Sequence, residues 1–192
     1  MNKHFTTKRI VMTALMAALT VAGSALRIKV PSIVGTSAFH LGNIMCALSG
    51  ILLGPWLGGL ASGLGSALYD ILLDPAYISE SWITLLTKGA YGLVAGLVAY
   101  GFHTNWHAST KKYLRALLAT IAGALTYAFL YLSKTCFYSG MLMKGLTLEG
   151  ALWGTLDKLP ATTFNMAVAI VAAPLLAVAI SKALKAAKLS LE

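Results

Sequence analysis

Acidic residues are scarce in this chain: of 192 residues only 6 are Asp or Glu, against 15 Lys or Arg, and charged side chains make up 11% of the total. So little charge cannot cover the surface of an ordinary soluble domain. Cysteine is nearly absent as well. Cys46 and Cys136 are too few and too far apart for a disulfide framework or a zinc site, and both are expected to be inert packing residues. No Gly-Lys pair occurs, which excludes the phosphate-cradling G-x-x-x-x-G-K-[ST] loop and with it an ATPase. H-E-x-x-H is missing; the four histidines stand at His4, His40, His103 and His107, and the i,i+4 pair His103/His107 has no Glu or third ligand beside it, so it reads as an interfacial polar loop. A G-x-S-x-G elbow is missing too. Neither a metal nor a cofactor is expected, and the chain is not expected to be an enzyme.

What is present is apolar. Hydrophobic residues are 58% of the chain, mean hydropathy is +0.76, and several runs approach or reach the roughly 20 residues needed to cross a bilayer. This predicts an all-α integral membrane protein in a lipid bilayer. The net charge of +9 raises nucleic acid as a partner, but the basic residues collect at the two ends of the sequence and in one connection, Lys111, Lys112 and Arg115, which is a topology signal instead; no nucleic acid is expected. The apolar run after Lys8 and Arg9 also carries Ala22-Gly23-Ser24, which would suit a signal peptidase, but an uncleaved first helix fits better because further spans follow at once.

The stretch from His40 to Asp70 organises the rest. Gly54-Pro55 breaks it into two antiparallel spans, because Pro cannot donate within a helix and disfavours helix just before it. Gly54xxxGly58 and Gly59xxxGly63xxxAla67 set small residues one turn apart, so helix backbones can approach closely where lipid gives no hydrophobic drive. The whole chain then reads as one compact bundle of six transmembrane helices, at about 10–26, 39–53, 55–73, 82–102, 114–132 and 151–180. Both termini lie on the cytoplasmic side, satisfying the positive-inside bias. Two connections, residues 27–38 and 74–81, face outward and are long enough to fold over a site.

Helix rise of about 1.5 Å per residue places the polar groups within spans at one level, the outer half. A charge inside a span costs at least about 2.5 kcal/mol and turns inward to a partner or a wet cavity. Asp70 and Lys88 are expected to form a structural ion pair across neighbouring helices. His40, Asn43, Lys88, Tyr91, Tyr127, Asp157 and Asn165 are the expected lining of an outward-facing pocket for a polar small molecule, with Trp153 as a further aromatic surface. On the first span, Ala14, Ala18 and Ala22 form a stripe of small side chains. Internal packing and a docking seam for another protein's helix both account for it.

The small-residue first helix, HLGN (His40 to Asn43), LLGPWLGGLASGLGSALYD (Leu52 to Asp70), DPAY (Asp74 to Tyr77) and ITLLTKGAYGLVAG (Ile83 to Gly96) together resemble the substrate-binding S component of energy-coupling factor (ECF) vitamin transporters. The likeness covers nearly the whole chain and is most specific from His40 to Gly96. It implies a high-affinity vitamin-binding subunit of a bacterial plasma membrane importer. It also implies association with a transmembrane coupling subunit and two cytoplasmic ATPase subunits, and toppling in the membrane to release substrate inside. It implies further that Ala14, Ala18 and Ala22 dock the coupling subunit. HLGN-bearing members are assigned to hydroxymethylpyrimidine, pyridoxine-type molecules and cobalamin, with pantothenate carriers nearby. A small aromatic heterocycle such as hydroxymethylpyrimidine or pyridoxine suits the polar and aromatic set best. Pantothenate would need a cation for its carboxylate, cobalamin a wider mouth, and a carrier working alone would move solute without partners.

Overall fold

A computed structural model of the chain describes residues 7–34, 36–101, 106 and 111–187. Lys3, His4, His103, His107 and Lys188, which entered the charge and histidine readings above, lie outside the described residues. The elements in order are α1 (Thr7–Ala25), β1 (Arg27–Pro31), β2 (Thr36–His40), α2 (Gly42–Leu53), α3 (Pro55–Leu73), a 3-10 helix (Pro75–Glu80), α4 (Ser81–Tyr100), α5 (Lys112–Ser133) with a π-helical continuation (Lys134–Met143), α6 (Leu148–Leu156) and α7 (Leu159–Ala186).

Five helical stretches are long and apolar enough to cross a membrane, namely α1, α3, the 3-10 helix with α4, α5 with its continuation, and α6 with α7. The chain is a multi-pass helical membrane protein. The sixth helix, α2, has 12 residues and would rise about 18 Å, short of a bilayer's hydrocarbon core of about 30 Å. Its surroundings explain how so short a helix is accommodated. All of its residues but Met45 are buried, and it packs against α1, α3, α4, α5 and α7, so it meets protein on every side. Gly54, at φ +86°, turns the chain out of α2, and Pro55 opens α3 at the position where its missing N–H costs nothing.

Glycine makes the centre of the bundle possible. A Cβ on Gly50 of α2 would stand 2.3 Å from the Gly92 carbonyl oxygen of α4, one on Gly58 of α3 would stand 2.5 Å from the Gly50 Cα, and one on Gly92 would stand 2.5 Å from the Gly58 carbonyl oxygen. Three backbones therefore meet at one point where no side chain fits, with dispersion as the reward for close approach.

The expected all-α class needs one amendment. Residues 27–40, expected to be a loop running into a span from 39, form an antiparallel hairpin with Arg27 opposite His40 and Lys29 opposite Ala38. Ile28, Val30 and Thr36 are β-branched and favour this, but Pro31 and Gly35 disguised the pattern as loop. Two other boundaries moved. The open loop expected near 133–150 is mostly the π-helical continuation of α5, and the expected span at 151–180 is divided into α6 and α7 at Asp157–Lys158. Thr147 caps α6, its hydroxyl accepting from the Gly150 N–H at 3.3 Å.

The bundle has two unlike ends. At one, Tyr100 donates to the Leu52 carbonyl (3.1 Å) and Lys112 reaches the Ser181 hydroxyl (3.4 Å), gathering the α2–α3 turn, the end of α4, the start of α5 and the end of α7. Lys8 and Arg9 open α1 at this same end. At the other end lies the hairpin, with the close of α3 and the start of α7. Exposed Trp56 marks the first end and exposed Trp82 and Trp153 the second, as aromatic belts do at the two interfaces of a bilayer.

Candidate substrate-binding site

Beneath the hairpin is a cavity of about 90 Å³. Its floor comes from α2 and α4, where Asn43 and Lys88 are both buried. The Lys88 ammonium donates to the Asn43 side-chain carbonyl and lies 3.8 Å from the centre of the Tyr127 ring. Because Asn43 presents its oxygen to Lys88, its amide NH2 faces the other way, is buried, and has no hydrogen-bond partner. Buried polar groups in folded proteins are nearly always satisfied, so an open donor on a residue that lines a cavity marks where a ligand acceptor would be accommodated. Lys88 is likewise without a carboxylate within 4.0 Å. The ion pairs among the described residues are Arg27–Asp74, Lys29–Asp74 and Lys134–Glu80.

One wall is aromatic. Tyr127 and Tyr131, one turn apart on α5, stack with centroids 5.6 Å apart, and Tyr91 of α4 stacks behind Tyr127 at 5.9 Å. Gly123 makes this possible, since a Cβ there would stand 2.6 Å from the Tyr91 ring. Opposite stands Asp70, beside the Thr84 hydroxyl.

The roof is the hairpin, tied down from several directions. Asp74, only 1% exposed, takes Arg27 at 3.0 Å and Lys29 at 2.8 Å, and the Arg27 guanidinium also lies over the Tyr69 ring at 3.8 Å. Tyr77 donates to the Thr36 carbonyl at 2.6 Å. Asn165 of α7 accepts from the His40 N–H at 2.9 Å and donates to the Ala38 carbonyl at 2.8 Å, closing the free edge of β2 as a further strand would. Phe39 meets Phe164 edge-on at 5.1 Å. Asp157 accepts from the Ile33 N–H at 2.9 Å. At the end of β2, His40, which also lines the cavity, accepts the Gly42 N–H on Nδ1 at 3.1 Å, which leaves Nε2 as the protonated nitrogen of a neutral ring.

A family profile described as ECF-type riboflavin transporter, S component, matches residues 4–182. The chain belongs to that family. The S component is a substrate-binding subunit of a vitamin-type transporter. Among curated proteins it is 36% identical over 116 residues to an uncharacterized protein in the gap 3′ region of Pyrococcus woesei, a match over 60% of this chain and 70% of the relative. It is 34% identical over 94 residues to a UPF0397 protein of Streptococcus gordonii, covering 49% of this chain and 48% of that protein.

Of the side chains that sequence reasoning assembled, the S component brings His40, Asn43, Lys88, Tyr127 and Asn165 to the one cavity. Tyr91 is not on its wall; it is fully buried one layer behind Tyr127. Asp157 is outside as well, because the break between α6 and α7 turns it to the hairpin backbone. Trp153 is 61% exposed on the outer surface of α6. The expected Asp70–Lys88 ion pair is not formed: Lys88 donates to Asn43 one helix away, and no cation of the described residues lies within 4.0 Å of Asp70. Thr36, Tyr77 and Lys134 line the cavity without having been singled out, and so does Arg27, which the sequence offered only as a cation for a carboxylate substrate. The signal for them lay in the acidic stretch Asp74 to Glu80, whose carboxylates needed cations from outside the spans. Ala14, Ala18 and Ala22 are exposed on α1, whose buried face is Thr13, Met16, Thr20, Gly23 and Ser24 instead.

Proposed function

We propose that this S component captures a small aromatic heterocyclic vitamin or precursor, of the size of hydroxymethylpyrimidine or pyridoxine, in the cavity beneath the hairpin. The observation that carries the reading is the open Asn43 amide beside the Lys88 ammonium, against a wall of stacked tyrosines. A ring nitrogen or carbonyl supplies the acceptor that Asn43 lacks, and the flat ring packs on Tyr127 and Tyr131. Size supports a single ring. At roughly 10–15 Å³ of such space per water-sized group, a cavity of about 90 Å³ takes one substituted ring more readily than the three-ring flavin in the family's description or a corrin.

In this reading the cluster Lys8, Arg9, Lys112, Lys182 and Lys185 marks the cytoplasmic side of a plasma membrane, and the hairpin faces out. The hairpin and the 3-10 helix part to admit ligand and close over it, as lids do. The exposed Ala14, Ala18 and Ala22 face takes the transmembrane coupling subunit, which couples the chain to two cytoplasmic ATPases. The test is thermal stability of the purified chain in detergent against a panel of hydroxymethylpyrimidine, pyridoxine, riboflavin, pantothenate and cobalamin, since a ligand that binds only the folded state raises stability by RT ln(1 + [L]/Kd). Stabilisation by a single-ring vitamin at micromolar concentration is expected. Stabilisation by cobalamin alone, or by none of the five, refutes it.

A further inference from the structure

A second cavity, of about 180 Å³, lies against the first, and the two share Thr36, Tyr77, Tyr131 and Lys134 as a common wall. Its chemistry is different. The charged residues lining it are Lys134, Lys144, Lys158 and Glu80. Glu80 is taken up by Lys134 and by the Ser139 hydroxyl at 2.8 Å, which leaves two of the three lysines without an anion. Lys158 is the unusual one. It is 2% exposed, its ammonium donates to the Thr36 carbonyl, and no carboxylate of the described residues lies within 4.0 Å. Its sequence neighbour Asp157 does not compensate it, being engaged with the Ile33 N–H. Lys144 donates to the Ile33 carbonyl at 3.2 Å. A buried ammonium held only by a carbonyl bears a desolvation cost that an anion would offset.

We infer that the outer cavity is an anion subsite, and that the substrate of this S component is a ring compound bearing a phosphate or carboxylate, its ring in the inner cavity and its anionic oxygens on Lys158 and Lys144. The inference rests on the reading of the inner cavity given above. The Thr36–Tyr77 contact stands between the two spaces, with the tyrosine hydroxyl donating to the Thr36 carbonyl at 2.6 Å. A substrate spanning both must displace this one contact, and the Thr36 carbonyl keeps Lys158 as its second donor when Tyr77 swings away. The anionic group is thereby bound where the hairpin meets the α6–α7 junction. Closure of the roof over the ring and capture of the tail use the same strand.

The experiment compares neutral and anionic members of three pairs on the purified full chain: pyridoxine and pyridoxine 5′-phosphate, riboflavin and riboflavin 5′-phosphate, nicotinamide and nicotinate. The first two pairs report on phosphate and the third on carboxylate. In at least one pair the anionic member is expected to bind at least about ten-fold more tightly, the gain of one charge-assisted hydrogen bond. Lys158→Met should bring that preference close to one, Lys158→Arg should retain it, and Lys144→Gln, at an exposed position, should reduce it part-way. Neutral members binding as tightly as their anionic partners, or Lys158→Met weakening both members alike, overturns the subsite and leaves the inner cavity standing. If no member of any pair binds, the inner-cavity reading fails and inorganic phosphate decides the outer one. Stabilisation of the parent but not of Lys158→Met by millimolar phosphate over chloride at equal ionic strength upholds an anion site, and equal melting of the two overturns it.

Discussion

Asn165 offers the sharpest test of how the roof is held. Its amide uses both functions on the outer edge of β2, with the His40 N–H at 2.9 Å and the Ala38 carbonyl at 2.8 Å, and the side chain is buried. In Asn165→Ala both backbone groups lose their partner in a place that water reaches poorly. Each such loss costs about 1 kcal/mol when water partly replaces the partner and up to about 3 kcal/mol when it does not, so closure of the hairpin should weaken by at least about 2 kcal/mol. At about 1.4 kcal/mol per decade, opening becomes at least about 30-fold more frequent. Hydrogen–deuterium exchange of the peptide containing His40, followed by mass spectrometry on the ligand-free protein, reads that factor directly. Ligand affinity falls by the same factor only if the open form becomes the dominant one, so the loss of binding should be equal to or smaller than the rise in exchange. Asn165→Asp should not rescue, because it keeps the acceptor for the His40 N–H but turns a second oxygen toward the Ala38 carbonyl. Unchanged exchange at His40 in Asn165→Ala would show that the hairpin is held elsewhere. A loss of affinity larger than the rise in exchange would show that Asn165 also touches the ligand.

Other outcomes follow from the same geometry. Asp74→Asn removes the carboxylate of Arg27 and Lys29 and leaves the half-buried guanidinium without its anion, so it should loosen the hairpin and lower the melting temperature more than Lys29→Gln does, since Lys29 is 44% exposed. A double-mutant cycle between Lys88→Met and Asn43→Leu should give a coupling of about 1 kcal/mol or more, whereas one between Lys88→Met and Asp70→Asn should give less, because only the first pair is in direct contact; the reverse order would restore the ion pair inferred from sequence. Gly58→Val should prevent folding, as its Cβ would overlap the Gly50 backbone, while Gly145→Ala, with nothing within 4 Å but φ at +65°, should cost only about 1–2 kcal/mol in melting measurements. Ala18→Trp should abolish co-purification with the coupling subunit and leave vitamin binding intact; failure of both together would make the stripe a packing surface.

Sequence reasoning reached the class and the level of the site because lipid leaves polar residues few places to be. Asn43, Lys88, Tyr127 and Asn165 stood out against runs of Ala, Leu, Val and Gly, and a depth count along each helix was enough to bring them together. It failed where side-chain direction mattered more than depth. Asp70 and Lys88 occupy similar levels, yet whether Lys88 meets Asp70 or Asn43 depends on which faces of α2, α3 and α4 turn together, and the glycine contact at Gly50, Gly58 and Gly92 decides that. Asp157 sits at a suitable depth too, but the break between α6 and α7 points it away from the cavity. A 3.6-residue period carries no information about such a break.

The hairpin was the larger omission, and it changes what the site residues do. Read as a loop, residues 27–38 could only cover a pocket that the helices had already built. As paired strands they supply part of the pocket itself: β2 brings Thr36 and His40 to the cavity, and its backbone occupies Asn165 entirely. Asn165 is therefore a positioning residue for the roof, and on the floor of the cavity Asn43 keeps an amide NH2 without a partner and Lys88 has no carboxylate of the described residues within 4.0 Å. Both are anchored on α2 and α4, whose backbones are locked together at Gly50 and Gly92. If the roof parts to admit ligand, the hairpin contacts it breaks are ones that solvent can replace, whereas the buried Asn43 amide needs an acceptor that a ligand would bring.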